Sequence, residues 1–370
     1  MILLNVNGRK MRIKQYSFLV FTIYLLFSFN SYGQDLGGAN NGRIKDDFKF
    51  LPIPYINYNR SAGFQLGALP MAQFNPVKND TLSPSSMAGL FGMYSTNKTY
   101  FFMAFAKLYF DSNNWRFTTA GGTGSVNFQF HLDNPVESWI PYNTKMDIFY
   151  IEAQRRIYSK IYFGLSYVYI KFDTETEITD GVFTNTLNGI GLKLSMDYRT
   201  NVYYPIDGFH NNLKYFTYPE FMGNEVESDK IEIDHNHYFP VRDEQDVLAA
   251  RVYVGYGLGD LSFNQQFIVG RGDDIRGYSQ GEYRGNFMLA AQGEYRWNLN
   301  DSKIGFVGFL GVATVFESIN EDNNGKLLPG VGVGFRFTVL EETHMNVGMD
   351  IAKGSGDWGI YFRIGEALNK

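Results

Sequence analysis

The stretch FIVGRGDDIRGYSQGEYRGNFMLAAQGEYRWNL, residues 267–299, decides the fold. In its second half, apolar or small residues fall at odd positions from Leu289 to Trp297, and polar residues such as Glu294 and Arg296 fall at even positions. Successive side chains of a β-strand point to opposite faces. The alternation therefore predicts a strand with one face toward lipid and the other toward a polar interior. The first half is rich in glycine and charge, which indicates a long loop leading into that strand.

The same two-residue period recurs from about residue 52 to residue 366, and nowhere does a long helical period replace it. We count sixteen candidate strands separated by turn-forming residues, among them 144–157 and 187–199. A tilted spanning strand needs about 9–11 residues, which these segments supply. The sequence therefore predicts an all-β fold, a single 16-stranded antiparallel transmembrane β-barrel over residues 51–370.

The segments that connect the candidate strands alternate between short and long. Asp111–Asn114 and Asn300–Ser302 are short, whereas Asp173–Thr186 and Gly259–Arg284 are long. Outer-membrane barrels have tight periplasmic turns and longer external loops, so this alternation fits the same class. Asn75–Ser85 is an exception, because it is long where the alternation predicts a short turn.

The first 33 residues have the three parts of a secretory signal. Four basic residues between Arg9 and Lys14 precede an apolar run, Phe18–Phe29, and Ser31–Gly33 forms a small-x-small cleavage site. The apolar run is shorter than the about 20 residues that a spanning helix needs. We therefore expect residues 1–33 to be a signal peptide and residues 34–50 to be a short polar lead to the barrel.

The composition fits an exported barrel that contacts lipids rather than nucleic acids. Aromatic residues make up 17% of the chain, which has 39 glycines and no cysteine, while the mean hydropathy is −0.23. Barrel strands put only alternate residues into lipid, so a low average hydropathy is typical of them. The net charge of −5 becomes −9 without residues 1–33, which argues against nucleic acid as a partner. A soluble, β-rich secreted protein is the competing class.

The loop and strand of residues 267–299 resemble the core signature of the BamA/TamA family, the outer-membrane barrels that insert or export other proteins. The matching residues are Ile275-Arg276-Gly277-Tyr278 in the loop and Glu294-Tyr295-Arg296 in the strand. The likeness runs from about Pro52 to Leu368. Its other stretches are Leu51-Pro52 with Tyr55, Tyr58 and Gly63, then Asp197-x-Arg199-x-Asn201 with Pro205 and Gly208, and Asn346–Ala352.

The resemblance implies that the loop folds inward and that an arginine anchors it to acids of the barrel wall. Arg276 is then the anchor and Glu294 its partner, while Gly277 lets the backbone turn beside the wall and Tyr278 packs on it. The family's second lumen acid falls on Gly311, so we expect Glu294 to be the main partner. An aspartate at position 311 is expected to tighten the loop. From the residues alone, an exposed loop arginine beside an ordinary strand glutamate is the alternative.

The last strand resembles the terminal signal by which assembly machinery recognises outer-membrane barrels. The residues that match are Asp357, Gly359, Phe362 and Ile364. The resemblance implies a place in the cell outer membrane of a Gram-negative bacterium, with outer-membrane lipids and the barrel assembly machinery as partners. No POTRA domains are expected before the barrel, which leaves room for a separate periplasmic partner protein.

By resemblance, the function is to aid outer-membrane protein or lipid assembly. The alternative is a passive channel or a structural barrel without insertase activity. The expected lack of POTRA domains and the glycine at position 311 both favour that alternative. The oligomeric state stays open.

Signals for catalysis or metal binding are weak. His235 and His237 share one strand face, a spacing that metal sites use, but the alternation turns that face toward lipid. No G-x-S-x-G motif occurs, and His131, His210 and His344 stand in no recognisable nucleophile pattern. We therefore predict that the chain is not an enzyme and has no cofactor and no metal site.

Overall fold

The computed structural model describes residues 42–59, 62–132, 138–176, 179–259, 261–270, 275–279, 281–299 and 302–369. The expected signal peptide lies outside the described residues, and so does the start of the expected lead, residues 34–41. Within the described part, the chain is almost entirely β-strand and turn.

Sixteen strands of the described chain form one closed antiparallel barrel, which confirms the predicted fold class. A closed barrel joins neighbouring strands all around the wall, which suits lipid, where each unpaired backbone group costs several kcal/mol. The barrel strands are β1 (Phe48–Asn59), β2 (Gly63–Phe74), β3 (Ser86–Ser95), β4 (Tyr100–Phe110), β5 (Trp115–Leu132), β6 (Ser138–Tyr158), β7 (Ile161–Thr176), β8 (Thr179–Asp197), β9 (Gly208–Tyr218), β10 (Ser228–Val241), β11 (Asp246–Gly259), β14 (Phe287–Asn298), β15 (Ile304–Phe316), β16 (Leu328–Leu340), β17 (Met345–Lys353) and β18 (Trp358–Ile364).

Two further strands, β12 (Phe267–Ile268) and β13 (Arg284–Gly285), pair with each other inside the long loop between β11 and β14. The helices of the described residues are three 3-10 turns, Glu220–Met222, Phe263–Gln265 and Glu321–Asn323. No helix in this described part is long and apolar enough to cross a membrane.

The alternation of the deciding strand is confirmed in β14. Ala291, Tyr295 and Trp297 are exposed on the outer face, whereas Glu294 and Arg296 are buried on the inner face. The lipid-facing and lumen-facing sets are therefore those that the sequence predicted. We call the barrel end with short connections such as 111–114 the turn end, and the opposite end the loop end.

The strands β5 to β8 are longer than the sequence predicted. The candidate strand 144–157 extends to Ser138–Tyr158, and 187–199 becomes Thr179–Asp197. The added residues lie at the loop end. Their outer face carries polar side chains such as Asn143 and Thr184 beside the apolar Val182, so the unbroken apolar face of a lipid-facing strand is lost. The strands therefore continue where the membrane pattern has ended.

The exceptional segment Asn75–Ser85 lies at the turn end, where it covers part of the barrel instead of making a tight turn. The Tyr203 hydroxyl donates a hydrogen bond to the Ser85 carbonyl oxygen. Burial alone would raise the pKa of Asp80, but hydrogen bonds from the Ser83 side chain and from backbone N–H groups hold that pKa below its ordinary value. The extra length of the segment thus lets it contact another connection of the turn end, through Tyr203.

The contact between β1 and β18, which we call the seam, is short. Among the described residues, two pairs join these strands, Tyr58 opposite Ile360 and the adjacent pair, whereas twelve pairs join β1 and β2. Beyond Ile360 the last strand keeps its pairing with β17 but no longer pairs with β1. The Phe362 ring centroid lies 5.7 Å from that of Tyr55, and Phe362 and Ile364 pack on an apolar cluster inside the barrel. The part of the seam toward the turn end is therefore unpaired, although the barrel as a whole is closed.

We predict that a disulfide will form across the paired part of the seam, near the loop end, but not across the unpaired part toward the turn end. The chain has no cysteine, so Tyr58→Cys with Ile360→Cys places the only two thiols directly opposite each other, at disulfide distance. The control is Ile56→Cys with Phe362→Cys, two residues further in the same register, where the strands have separated. Gel mobility after mild oxidation measures both. Equal cross-linking of the two pairs would contradict a seam that is unpaired toward the turn end.

Candidate functional site

Arg276 reaches into the barrel interior, where its side chain is 1% exposed. Its Nη2 atom donates to Glu294 Oε2 on β14 at 3.1 Å, and its Nη1 atom donates to Asp350 Oδ2 on β17 at 2.5 Å. The guanidinium carbon lies 3.3 Å from the ring centroid of Phe309 on β15, a cation–π contact. The loop side chain thereby touches three strands of the wall.

Two carboxylates, rather than one, hold Arg276. The prediction that the glycine at position 311 leaves Glu294 as the arginine's main acid is wrong, because Asp350 supplies the second acid from another strand. The loop fills the space beside Gly311, since a Cβ on that residue would lie 2.7 Å from Ile275 Cδ1. An aspartate there would collide with the loop instead of tightening it, contrary to the expectation.

Asp350 joins Arg276 to a larger set of buried charges, which we call the charge network. Arg336 Nη1 donates to Asp350 Oδ1 at 2.6 Å, and Arg363 Nε donates to Asp350 Oδ2 at 2.5 Å. Such charges are tolerated in an interior only when they are paired and hydrogen-bonded. The members of the charge network are Arg276, Arg296, Arg336, Arg363, Glu294, Asp350 and Glu366.

Gly277 and Tyr278 fit the loop against the wall. Gly277 has a φ of 101°, and a Cβ on it would lie 2.5 Å from the backbone nitrogen of Gly354. Only glycine accepts both conditions easily. Its N–H donates to the Tyr361 hydroxyl on β18 at 2.9 Å, and the Tyr278 hydroxyl donates to the Pro329 carbonyl oxygen at 2.6 Å. The loop is therefore attached to the last strand as well as to the charge network.

Three alternating glycines of β16 make room for this arrangement. A Cβ on Gly330 would lie 2.6 Å from a carbonyl oxygen of the loop backbone. At Gly332 it would collide with the Phe309 ring, and at Gly334 with the carboxylate of Asp350. The three positions thus clear space for the loop, for the ring beside the arginine and for the central acid.

The expected terminal signal is distributed over several contacts. Asp357 accepts a hydrogen bond from the Ser279 hydroxyl of the loop, and Gly359 lies in the seam. Phe362 and Ile364 pack inside the barrel. These positions leave the recognition role of the four residues a prediction.

Sequence reasoning missed Asp350, Tyr361 and Arg363 as parts of the site. A signal for Asp350 was present, because it lies in the family-like stretch 346–352 and shares the inner face of β17 with Gly348. Tyr361 and Arg363 likewise alternate with the apolar residues of the terminal signal. Their meeting point with the loop depends on barrel curvature, which alternation along one strand does not contain.

A family model described as the Omp85 superfamily domain matches residues 81–367. The chain belongs to the Omp85 superfamily. It is therefore an outer-membrane β-barrel protein of the insertase and transporter family. No curated protein matches this Omp85 chain.

Solved structures share the fold of this Omp85 barrel at low sequence identity. BamA from Haemophilus ducreyi lacking POTRA domains 1–3 is 10% identical with a TM-score of 0.57, over 87% of this chain and 70% of that one. CdiB from Escherichia coli is 12% identical with a TM-score of 0.64, over 88% and 68%. CdiB from Acinetobacter baumannii is 12% identical with a TM-score of 0.60, over 86% and 60%.

We predict that Asp350→Asn will destabilise the barrel more than Glu294→Gln. Three arginines contact Asp350 and two contact Glu294, so the first change leaves more buried positive charge unneutralised. Breaking a buried pair costs about 3–5 kcal/mol. The free energy of unfolding is measured from denaturation in urea, and the exposed Asp147→Asn is the matched control with a change near zero. Equal effects of Asp350→Asn and the control would contradict the network.

Proposed function

We propose that this Omp85 barrel lies in the outer membrane and aids the insertion of proteins or lipids there by opening at its seam. The observation that carries the proposal is the seam's two residue pairs. The next shortest contact between neighbouring barrel strands, β17 with β18, has seven pairs. Opening at the seam therefore breaks fewer backbone hydrogen bonds than opening anywhere else in the described barrel.

The free edge of β1 gives the seam its use. From Phe48 to Asn57, β1 pairs with β2 on one side but has no strand partner on the other within the described chain. Unpaired N–H and C=O groups of an edge strand are a template for another strand. In lipid, where these groups find no water, that pairing is strongly favoured. An incoming strand of a client barrel would extend β1 by strand addition.

The proposed partners follow from the surface and from the last strand. Exposed apolar side chains such as Leu90, Leu310 and Val333 form the outer face that contacts membrane lipids. We propose that the barrel assembly machinery inserts this chain by reading its terminal strand. A separate periplasmic protein is proposed as the partner that delivers clients to the turn end.

We further propose that this activity needs no catalytic residue. Ser195 Oγ lies 3.1 Å from His210 Nε2, a pairing that a hydrolase would use, but the two residues are 1% and 6% exposed. Such burial in the barrel wall leaves almost no surface for a substrate. A structural role in the wall accounts for the pair.

We predict that the protein in liposomes will accelerate the folding of a small urea-unfolded outer-membrane barrel several-fold, and that closing the seam will abolish the acceleration. The variant with Tyr58→Cys and Ile360→Cys is tested oxidised and then reduced. Oxidation fixes the strands whose separation the proposal requires, and reduction should restore the rate. Tyr58→Cys alone is the control for the effect of oxidant.

Two results would separate the alternatives. If the oxidised and reduced variants accelerate folding equally, the seam is not the route. If neither accelerates folding while both give a steady ion conductance across a planar bilayer, the barrel is a passive channel.

A further inference from the structure

After β18 the chain turns back into the barrel. Gly365, with a φ of 71°, makes the turn, and its N–H donates to the Asn346 carbonyl oxygen at 2.8 Å. We call residues Gly365–Asn369 the return segment. Ala367 and Leu368 within it are 0% exposed, so the segment is packed into the protein along its length.

The return segment crosses the lumen at the turn end. The Tyr238 hydroxyl of β10 donates to the Leu368 carbonyl oxygen at 2.7 Å, and Ala367 and Leu368 share an apolar cluster with Val247 of β11. In the barrel order, β10 stands six strands away from β18. Contacts at that distance around a sixteen-stranded barrel cannot be made along the segment's own wall.

The residues that surround the return segment form a groove. The acidic side chain of Glu366 occupies its first part. Glu366 Oε2 accepts from Arg336 Nε at 2.9 Å, and its Oε1 accepts from Asn346 Nδ2 at 2.8 Å. Arg296 Nε lies 3.9 Å from the same carboxylate. The groove therefore selects an acid at this position by charge and by directed hydrogen bonds.

The side-chain carboxamide of Asn369 occupies the other end of the groove. Asn369 Nδ2 donates to the carbonyl oxygens of Val202 and Tyr203 at 3.0 and 2.8 Å, and Arg199 Nη1 donates to Asn369 Oδ1 at 2.6 Å. Arg199 is itself held by Asp197 at 2.7 Å. Both ends of the amide are satisfied, which is the geometry of a specific site rather than of loose packing.

We propose that this groove is a peptide-binding site, that the return segment is its built-in occupant, and that release of the segment opens the turn end of the lumen. The ligand class is a short peptide with an acid, two apolar residues and a carboxamide in succession, bound as the return segment is, with a turn at residues 367–368. Tethering gives the built-in occupant an effective concentration of about millimolar, so a free peptide competes poorly until the segment is displaced. The proposal stands whether or not the seam opens.

The first test uses Ala367→Cys in the full chain, whose single thiol reports on the return segment. A bulky hydrophilic maleimide should label it slowly, because position 367 is buried. Adding Leu368→Asp, which puts a charge in the apolar cluster, should raise the labelling rate at least tenfold. Adding Tyr238→Phe instead removes one hydroxyl donor and keeps the aromatic ring in the apolar cluster. This change should raise the labelling rate about twofold or more. Glu341→Gln, at an exposed position of the turn 341–344, is the matched control and should leave the rate unchanged.

The second test asks whether the vacated groove takes a peptide. Leu368→Asp should conduct ions several-fold better than the parent in planar bilayers. The peptide GEALNK should lower that conductance again, whereas GQADNK, in which glutamine replaces the glutamate and aspartate replaces the leucine, should not. Unchanged labelling in both Leu368→Asp and Tyr238→Phe would overturn the proposal that these contacts hold the return segment in the groove. Faster labelling without a rise in conductance, or a rise that GEALNK does not reverse, would overturn the groove as a peptide site that closes the lumen.

Discussion

The buried charge network is the interaction on which the rest of the structure depends. An arginine inside a barrel keeps its place only where acids neutralise it, because an unpaired charge in an interior costs far more than the pair contributes. Arg276 therefore fixes the loop to Asp350, and Asp350 also binds Arg363 of the last strand. Arg336 then connects the same acid to Glu366 of the return segment. The loop, the last strand and the return segment all owe their positions to this set.

The charge network makes the two sides of the seam unequal. The last strand is bound from inside through Tyr361, Arg363 and Asp357, besides its seven pairs with β17. The first strand is held by β2 and by two pairs across the seam. In the proposed opening, the β1 side would therefore move, while β14 to β18 and the loop would remain one unit.

The sequence predicted the parts of this structure that depend on a single strand. Alternation in residues 289–297 identified the lumen face that carries Glu294, and the loop motif identified Arg276. It did not predict which wall supplies the second acid, because Asp350 meets the loop only through the closure of the barrel. Alternation also groups Phe362 with the outer face of β18, yet the strand no longer pairs with β1 at this point and Phe362 packs inside. Contacts that depend on curvature or on unpaired strand ends are absent from a periodic pattern.

Hydrogen exchange of the backbone amides of Trp358–Ile364 in Arg276→Lys tests the central claim most directly. Lysine keeps the charge but lacks the fork that reaches two carboxylates. If the charge network holds the last strand, exchange in that strand will become faster in the variant, while exchange in β8, on the opposite wall, stays as it is in the parent. Unchanged exchange in Trp358–Ile364 would contradict the account.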